Sequence, residues 1–304
     1  MKWRKLGLVY APDGSQWWAR SYAHLPTADI VDDRFIRVYF AGLDENKYGR
    51  IGFIDLDIED PTRLLRIGKE PVIDIGERGT FDDCGVNPCC LIHKDDQRYF
   101  YYIGWQRMER VPYMLYTGLA VSEDGEHWER NAPVPVLERT PNEPFLRSAI
   151  TIVEDEGRFK GWYVSGLGWE EIGAALYPTY VIRYAESDDG KRWTSLDRIC
   201  IDFQDKDEFG FGRPWVVKDG DIYRMWYSIR SRSKPYRIGY AESRDGLDWT
   251  RLDDQVGIEK SGSGWDSEMV CYPCVIDVRG KRYMFYNGNQ HGASGFGLAV
   301  LEEE

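Results

Sequence analysis

Ala120-Val-Ser122-Glu-Asp124-Gly125-Glu-His-Trp128, Ala185-Glu-Ser187-Asp-Asp189-Gly190-Lys-Arg-Trp193 and Ala241-Glu-Ser243-Arg-Asp245-Gly246-Leu-Asp-Trp249 are one phrase written three times. Self-similarity at a period of roughly 55 to 65 residues marks an array of like supersecondary units. Each phrase reads as a hairpin. Asp-Gly suits a tight turn because glycine takes a positive φ without steric cost, and the Trp beyond it packs back across the strands.

A second pattern lies upstream of each phrase: an apolar strand, a polar turn, then an aromatic-rich strand. Its clearest copy runs from Arg213-Pro214 through Asp219-Gly220 to Trp226-Tyr227. Others run from Asn87-Pro88 to Tyr102, from Ser148 to Tyr163, from Tyr272-Pro273 to Tyr286, and from Leu25-Pro26 to Phe40. Five copies of a four-stranded antiparallel unit predict an all-β, five-bladed β-propeller. The fifth copy runs into Glu302-Glu303-Glu304 with no closing hairpin. At the other end of the chain, Trp3-Arg4-Lys5-Leu6 resembles Trp249-Thr-Arg251-Leu252. The N-terminal strand is therefore expected to complete the last blade and close the ring, giving one domain over residues 1–304 and removing an open edge.

Composition agrees with a large core, at 42 % hydrophobic and 14 % aromatic residues among 304. A net charge of −12 argues against nucleic acid as a partner, which needs a basic face. No apolar run is long enough for a membrane helix, and Met1-Lys-Trp-Arg-Lys has no apolar stretch behind it; a cytoplasmic protein is expected. Cys271-x-x-Cys274 has a metal-like spacing, but strand alternation sends those side chains to opposite faces, so the six cysteines read as reduced apolar packing. No motif calls for a metal or another cofactor.

Five blades whose inner strands follow a short acidic or polar lead-in resemble the five-bladed propeller glycosidases and phosphorylases of glycoside hydrolase families 32, 43 and 130. The runs Phe81-Asp-Asp83-Cys-Gly-Val-Asn87-Pro88 and Ser263-Gly-Trp265-Asp266-Ser-Glu268-Met look like those of glycosidase-like propellers found with bacterial surface-polysaccharide genes. The resemblance implies sugar chemistry. Family 43 carries its catalytic carboxylates beside the inner strands of the first three blades. The matching places here hold Leu25 and Thr27, Asn87 and Cys89, Arg147 and Ser148, none of them acidic. Asn87-Pro88 is similar to the Asn-Pro of family 130. The thrice-written phrase resembles the Asp-box of sialidases, one residue shorter, and is assigned to structure.

In a propeller the lead-ins to the inner strands ring the channel mouth. Read blade by blade they supply Arg20, Tyr22 and His24; Asp82 and Asp83; Glu143 and Arg147; Glu208 and Arg213; and Trp265, Asp266, Glu268 and Tyr272. Glycoside cleavage uses one carboxylic acid to protonate the leaving oxygen and one carboxylate to activate water or attack carbon. Asp83, Glu143 and Glu268 are the catalytic candidates. Lead-in acids also serve as turn residues, and that reading stands beside the catalytic one. Arg20, Arg147 and Arg213 would suit an acidic sugar, a sugar phosphate or phosphate as nucleophile, or would simply neutralise Asp82, Glu143 and Glu208. Asn87, Trp105 and Trp169 complete the expected binding set for a carbohydrate, the Trp residues by stacking. The long segment Gly166 to Pro178 is expected over the mouth or against a partner subunit, and Arg230-Ser-Arg232-Ser-Lys234-Pro235 is its shorter, basic analogue. Hydrolysis leads these readings, with phosphorolysis or glycosyl transfer next and a non-catalytic carbohydrate-binding propeller as the other class.

Overall fold

A computed structural model describes residues 1–303. Strand β1 (Lys2–Tyr10) precedes four successive antiparallel units of four strands. The first holds β2 (Ser21–Ile30), β3 (Phe35–Leu43), β4 (Gly49–Asp57) and β5 (Leu64–Ile67). The second holds β6 (Gly85–Lys94), β7 (Gln97–Arg107), β8 (Tyr113–Ser122) and β9 (Glu129–Arg130). The third holds β10 (Arg147–Asp155), β11 (Arg158–Ile172), β12 (Ala175–Ser187) and β13 (Thr194–Ile201). The fourth holds β14 (Glu208–Asp219), β15 (Ile222–Ser231), β16 (Arg237–Ser243) and β17 (Thr250–Arg251). The last unit comprises β18 (Cys271–Val278), β19 (Lys281–Asn287) and β20 (Phe296–Glu303), with β1 paired to β20 as its fourth strand. Among the described residues helix is limited to a 3-10 turn at Asp253–Gln255 and the single turn α1 (Asn289–Gly292). None of it is long and apolar enough to cross a membrane.

Single parallel bridges, Gly49 to Gly85, Tyr116 to Arg147 and Tyr180 to Gly210, join the first four units. The first strands touch in cyclic order, β2 with β6, β10, β14 and β18 in turn, and β18 again with β2.

The repeated phrase proves to be the joint between units. In each copy the Asp carboxylate accepts two backbone N–H groups just beyond it, and the Ser hydroxyl accepts the glycine N–H. Gly125, Gly190 and Gly246 take φ near +75°, at 75°, 73° and 78°. This turn aims the glycine carbonyl at the preceding unit. There it accepts from Tyr39 Oη at 2.7 Å, Tyr101 Oη at 2.6 Å and Trp162 Nε1 at 2.7 Å, respectively. The Trp of each phrase packs edge-on against the same aromatic, Trp128 on Tyr39, Trp193 on Tyr101 and Trp249 on Trp162.

Every first strand carries a register shift beside its Pro, or at the equivalent Ala149 in β10. Proline has no N–H for the ladder, so a bulge forms there and re-aims the neighbouring side chains. Leu25, Ala149, Arg213 and Tyr272 take a left-handed backbone at these bulges.

Candidate active site

A cavity of about 980 Å3 opens where the second-to-third-strand hairpins of all five units meet. Those hairpins supply Lys47, then Arg107 with Tyr113, then Ile172 with Tyr177, then Arg232 with Lys234, Pro235 and Tyr236, and finally His291. The first strands add Tyr22, His24, Asn87, Phe209 and Tyr272 to the wall. Trp105 lies against Gly85, where a Cβ would come 2.1 Å from its Nε1, so glycine is required for the indole to seat there. The third unit contributes through the extension of β11 and β12, where Gly168–Ile172 pairs with Ala175–Thr179 as a hairpin and not a loop. An ion pair of Glu170 with Arg232 at 2.6 Å ties that hairpin to the fourth unit.

His24 is fixed by two contacts. Its Nδ1 lies 2.6 Å from the His291 carbonyl oxygen, and Tyr22 stacks on the ring at 4.5 Å. A carbonyl only accepts, so Nδ1 carries the hydrogen and Nε2 of the neutral ring keeps its lone pair. Burial pushes the imidazole down to about 4, against the pull of that hydrogen bond. Burial and the charge of Arg230 lower His291 as well. Burial holds the phenols of Tyr236 and Tyr272 well above their ordinary range, and Tyr113 up to about 12, so all three remain donors. Tyr22, Leu25, Tyr272 and His291 line the cavity with left-handed φ values of 65°, 52°, 55° and 60°. Such backbone strain in bulky residues concentrates at functional sites.

Among the described residues no Asp or Glu lines this cavity, whereas Lys47, Arg107, Arg230, Arg232 and Lys234 do. The acidic surplus of the chain lies elsewhere. Of the residues singled out in the sequence, Tyr22, His24, Asn87, Trp105 and Tyr272 come together here. The lead-in acids are turned into their own units. Buried Asp82 accepts from Tyr102 Oη at 3.0 Å and Arg130 Nε at 2.9 Å. Glu143 is held by Tyr163 and Ser165 and pairs with Arg147 at 3.2 Å. Glu208 takes a bidentate bond from Arg251, both contacts at 2.7 Å, and Asp266 accepts from Lys5 at 2.6 Å and Tyr286 at 3.0 Å. Asp83 is half-buried, with one oxygen on the Gly79 N–H and the other buried without a partner. Glu268 is exposed. Arg20 donates to the Gly14 carbonyl, Trp169 packs on Tyr113 and Trp265 on Tyr286. Arg213 is buried below the mouth, donating to the Pro26 and Tyr272 carbonyls and to Thr27.

The segments from Gly166 to Pro178 and from Arg230 to Pro235, singled out for their length, do reach the wall through Ile172, Tyr177, Arg230, Arg232, Lys234 and Pro235, whereas Tyr113, Tyr180 and Tyr236 escaped notice because the mouth was sought in the lead-ins. The hairpins one strand further on form it. The basic run from Arg230 to Pro235 was the available signal.

No protein-family model matches the chain. Uncharacterized protein Rv1502 of Mycobacterium tuberculosis is 42 % identical over 302 residues, covering 99 % of this chain and 100 % of the relative. The chain belongs to the family of Rv1502. Among solved structures, one described as "Glycoside hydrolase" superposes with a TM-score of 0.77 at 19 % identity, over 99 % of this chain and 92 % of that one. A structure from work on the GH130 family of mannoside phosphorylases gives 0.72 at 16 % identity, over 98 % and 93 %. A putative glycoside hydrolase of Parabacteroides distasonis gives 0.72 at 16 %, over 99 % and 97 %. The fold of this family is thus that of the glycosidase-like propellers.

Proposed function

We propose that the five units form a closed five-bladed propeller, completed by β1, and that the cavity at its mouth is where a glycosidic bond of a carbohydrate is cleaved. The cyclic contact of the first strands supports the ring. One observation carries the site: every unit contributes to one cavity lined by aromatic rings and hydrogen-bond donors around a neutral, oriented His24. Its volume sits at the upper end of small-molecule sites, roughly 300 to 1,000 Å3, and stacking rings with a few placed polar groups are what a sugar requires.

The two-carboxylate mechanism places its pair across the scissile bond about 5 to 10 Å apart. Asp83, Glu143 and Glu268 lie outside the lining, so the reaction class is kept and the proton handling is reassigned. His24 Nε2 takes the proton of the attacking nucleophile, and the protonated phenols of Tyr236 and Tyr272 donate toward the leaving oxygen. The cationic wall favours phosphorolysis as a second reading, with bound phosphate as the nucleophile. A panel of p-nitrophenyl glycosides, incubated with and without phosphate, tests both. Release in either arm supports cleavage, and dependence on phosphate selects the second reading. Sugar binding without release on any substrate identifies a non-catalytic carbohydrate binder instead.

A further inference from the structure

Arg230 is 4 % exposed, lines the cavity, and pairs with no carboxylate among the described residues. Its guanidinium sits among the rings of Phe209, Tyr180, Tyr177 and Tyr236 at 4.4, 5.1, 5.4 and 5.7 Å. Nη1 is used, donating to Tyr180 Oη at 2.6 Å and the Pro178 carbonyl at 3.3 Å. Nε is buried with no partner, and Nη2 has no bond to a described residue. The Nε–Nη2 edge is thus the vacant half of the fork. That edge presents two parallel N–H groups, the geometry that carboxylate and phosphate oxygens accept bidentately. A buried cation without a counter-charge is costly, and a ligand that supplies the charge removes the cost. Buried Arg37 pairs with Asp55 at 2.8 Å, Arg50 with Asp44 at 2.6 Å and Arg147 with Glu143. Arg213 is likewise buried without a carboxylate, but it donates to the Pro26 and Tyr272 carbonyls and to Thr27 and lies outside the cavity lining.

We propose that Arg230 forms an oxyanion subsite within the cavity, taking a carboxylate or phosphate group through its free edge. This rests on the cavity being the carbohydrate site. The anion is either carried on the sugar, as in a uronic acid or a sugar phosphate, or supplied as free inorganic phosphate beside it. Lys234, with no ion pair among the described residues, adds positive potential at the rim.

Titration calorimetry of the intact protein with D-glucuronate, D-glucose 6-phosphate, inorganic phosphate and neutral D-glucose provides the test. At least one anionic ligand is expected to bind tenfold or more tightly than glucose. Arg230→Gln should abolish that preference and Arg230→Lys should weaken it several-fold, since lysine keeps the charge and loses the fork. Phosphate that displaces glucuronate supports the subsite with free phosphate as an occupant. Glucuronate binding untouched by phosphate supports it with the anion on the sugar. Glucose binding as tightly as both anionic sugars, with no binding of phosphate, overturns the subsite and leaves the carbohydrate reading intact. Phosphate binding with no sugar bound does the reverse. If Arg230→Gln fails to fold, a structure of the wild-type protein soaked with glucuronate decides: carboxylate oxygens on Nε and Nη2 are expected, and a sugar whose carboxylate lies elsewhere refutes the proposal.

Discussion

At the scale of single residues, the two histidines at the mouth set how the protein responds to acid. His24 titrates near pH 6.5 in the unfolded chain and is pushed down to about 4 when folded. Between those values the unfolded state binds the proton and the folded state does not, so stability is full above pH 6.5 and falls as the pH drops toward 4. A series of thermal melts should show Tm declining across that window, with a shallower decline in His24→Gln; an unchanged slope would show that His24 is not held neutral. A second contrast concerns two buried indoles. Trp162 donates to the repeated phrase of the next unit, while Trp226, at the matching place before the last unit, which has no phrase, has a buried Nε1 with no acceptor. Trp162→Phe should therefore cost about 0.5 to 1.5 kcal/mol more than Trp226→Phe in urea denaturation, because only the first loses a hydrogen bond, the Gly246 carbonyl keeping its second donor in Trp249. Residues such as Tyr22, His24, Asn87 and Tyr272 were legible in the sequence because Leu25-Pro26, Asn87-Pro88 and Tyr272-Pro273 mark the strands that bear them. Arg230 was not, since its meaning comes from a missing carboxylate, and only three dimensions reveal that.

At the scale of elements, a latch recurs that the sequence spelled without explaining. Trp128-Glu-Arg130, Trp249-Thr-Arg251 and Trp3-Arg-Lys5 each send a cation from the outermost strand to the lead-in acid of the same unit: Asp82, Glu208 and Asp266. In the third unit Ser195 stands at this position and bonds Tyr163, and the cation for Glu143 comes from Arg147 instead. Asp82, Glu208 and Asp266, read from the sequence as substrate-binding candidates, thus clamp the start of their units to the edge, and the catalytic candidate Glu143 is held by Arg147 of its own first strand. A partner-less buried carboxylate is expensive, so Arg251→Ala should lower stability by about 3 to 5 kcal/mol, seen as a shifted urea midpoint. A change within about 0.5 kcal/mol would mean that Arg237, 3.4 Å from Glu208, suffices. Spacing located these acids. It could not tell which way they faced, because a strand that bulges loses its simple alternation. The β11–β12 hairpin shows the same limit: its length was evident, and its role in carrying Ile172 and Tyr177 to the wall depends on the pairing that keeps it straight.

At the scale of the whole molecule, the repeat was a sound guide to the units and to the pairing of the two chain ends, because Trp3-Arg4-Lys5-Leu6 copies an outer strand. Removal of residues 1–10 would expose β20 as an edge and free Asp266 from Lys5. The truncated protein is expected to melt at least several degrees lower and to self-associate, by circular dichroism and light scattering; a monomer with the wild-type Tm would contradict closure by β1. The same architecture brings five hairpins to one mouth, and the central claim is that chemistry occurs there and not at the lead-in acids. The most direct measurement is kcat/KM for the wild type, His24→Gln and Glu268→Gln on the p-nitrophenyl glycoside that the wild type turns over. His24→Gln should lose about a hundredfold or more, the usual contribution of a general base, while Glu268→Gln stays within about threefold. Loss in Glu268→Gln with His24→Gln intact, or no turnover by the wild type on any glycoside, would contradict the account.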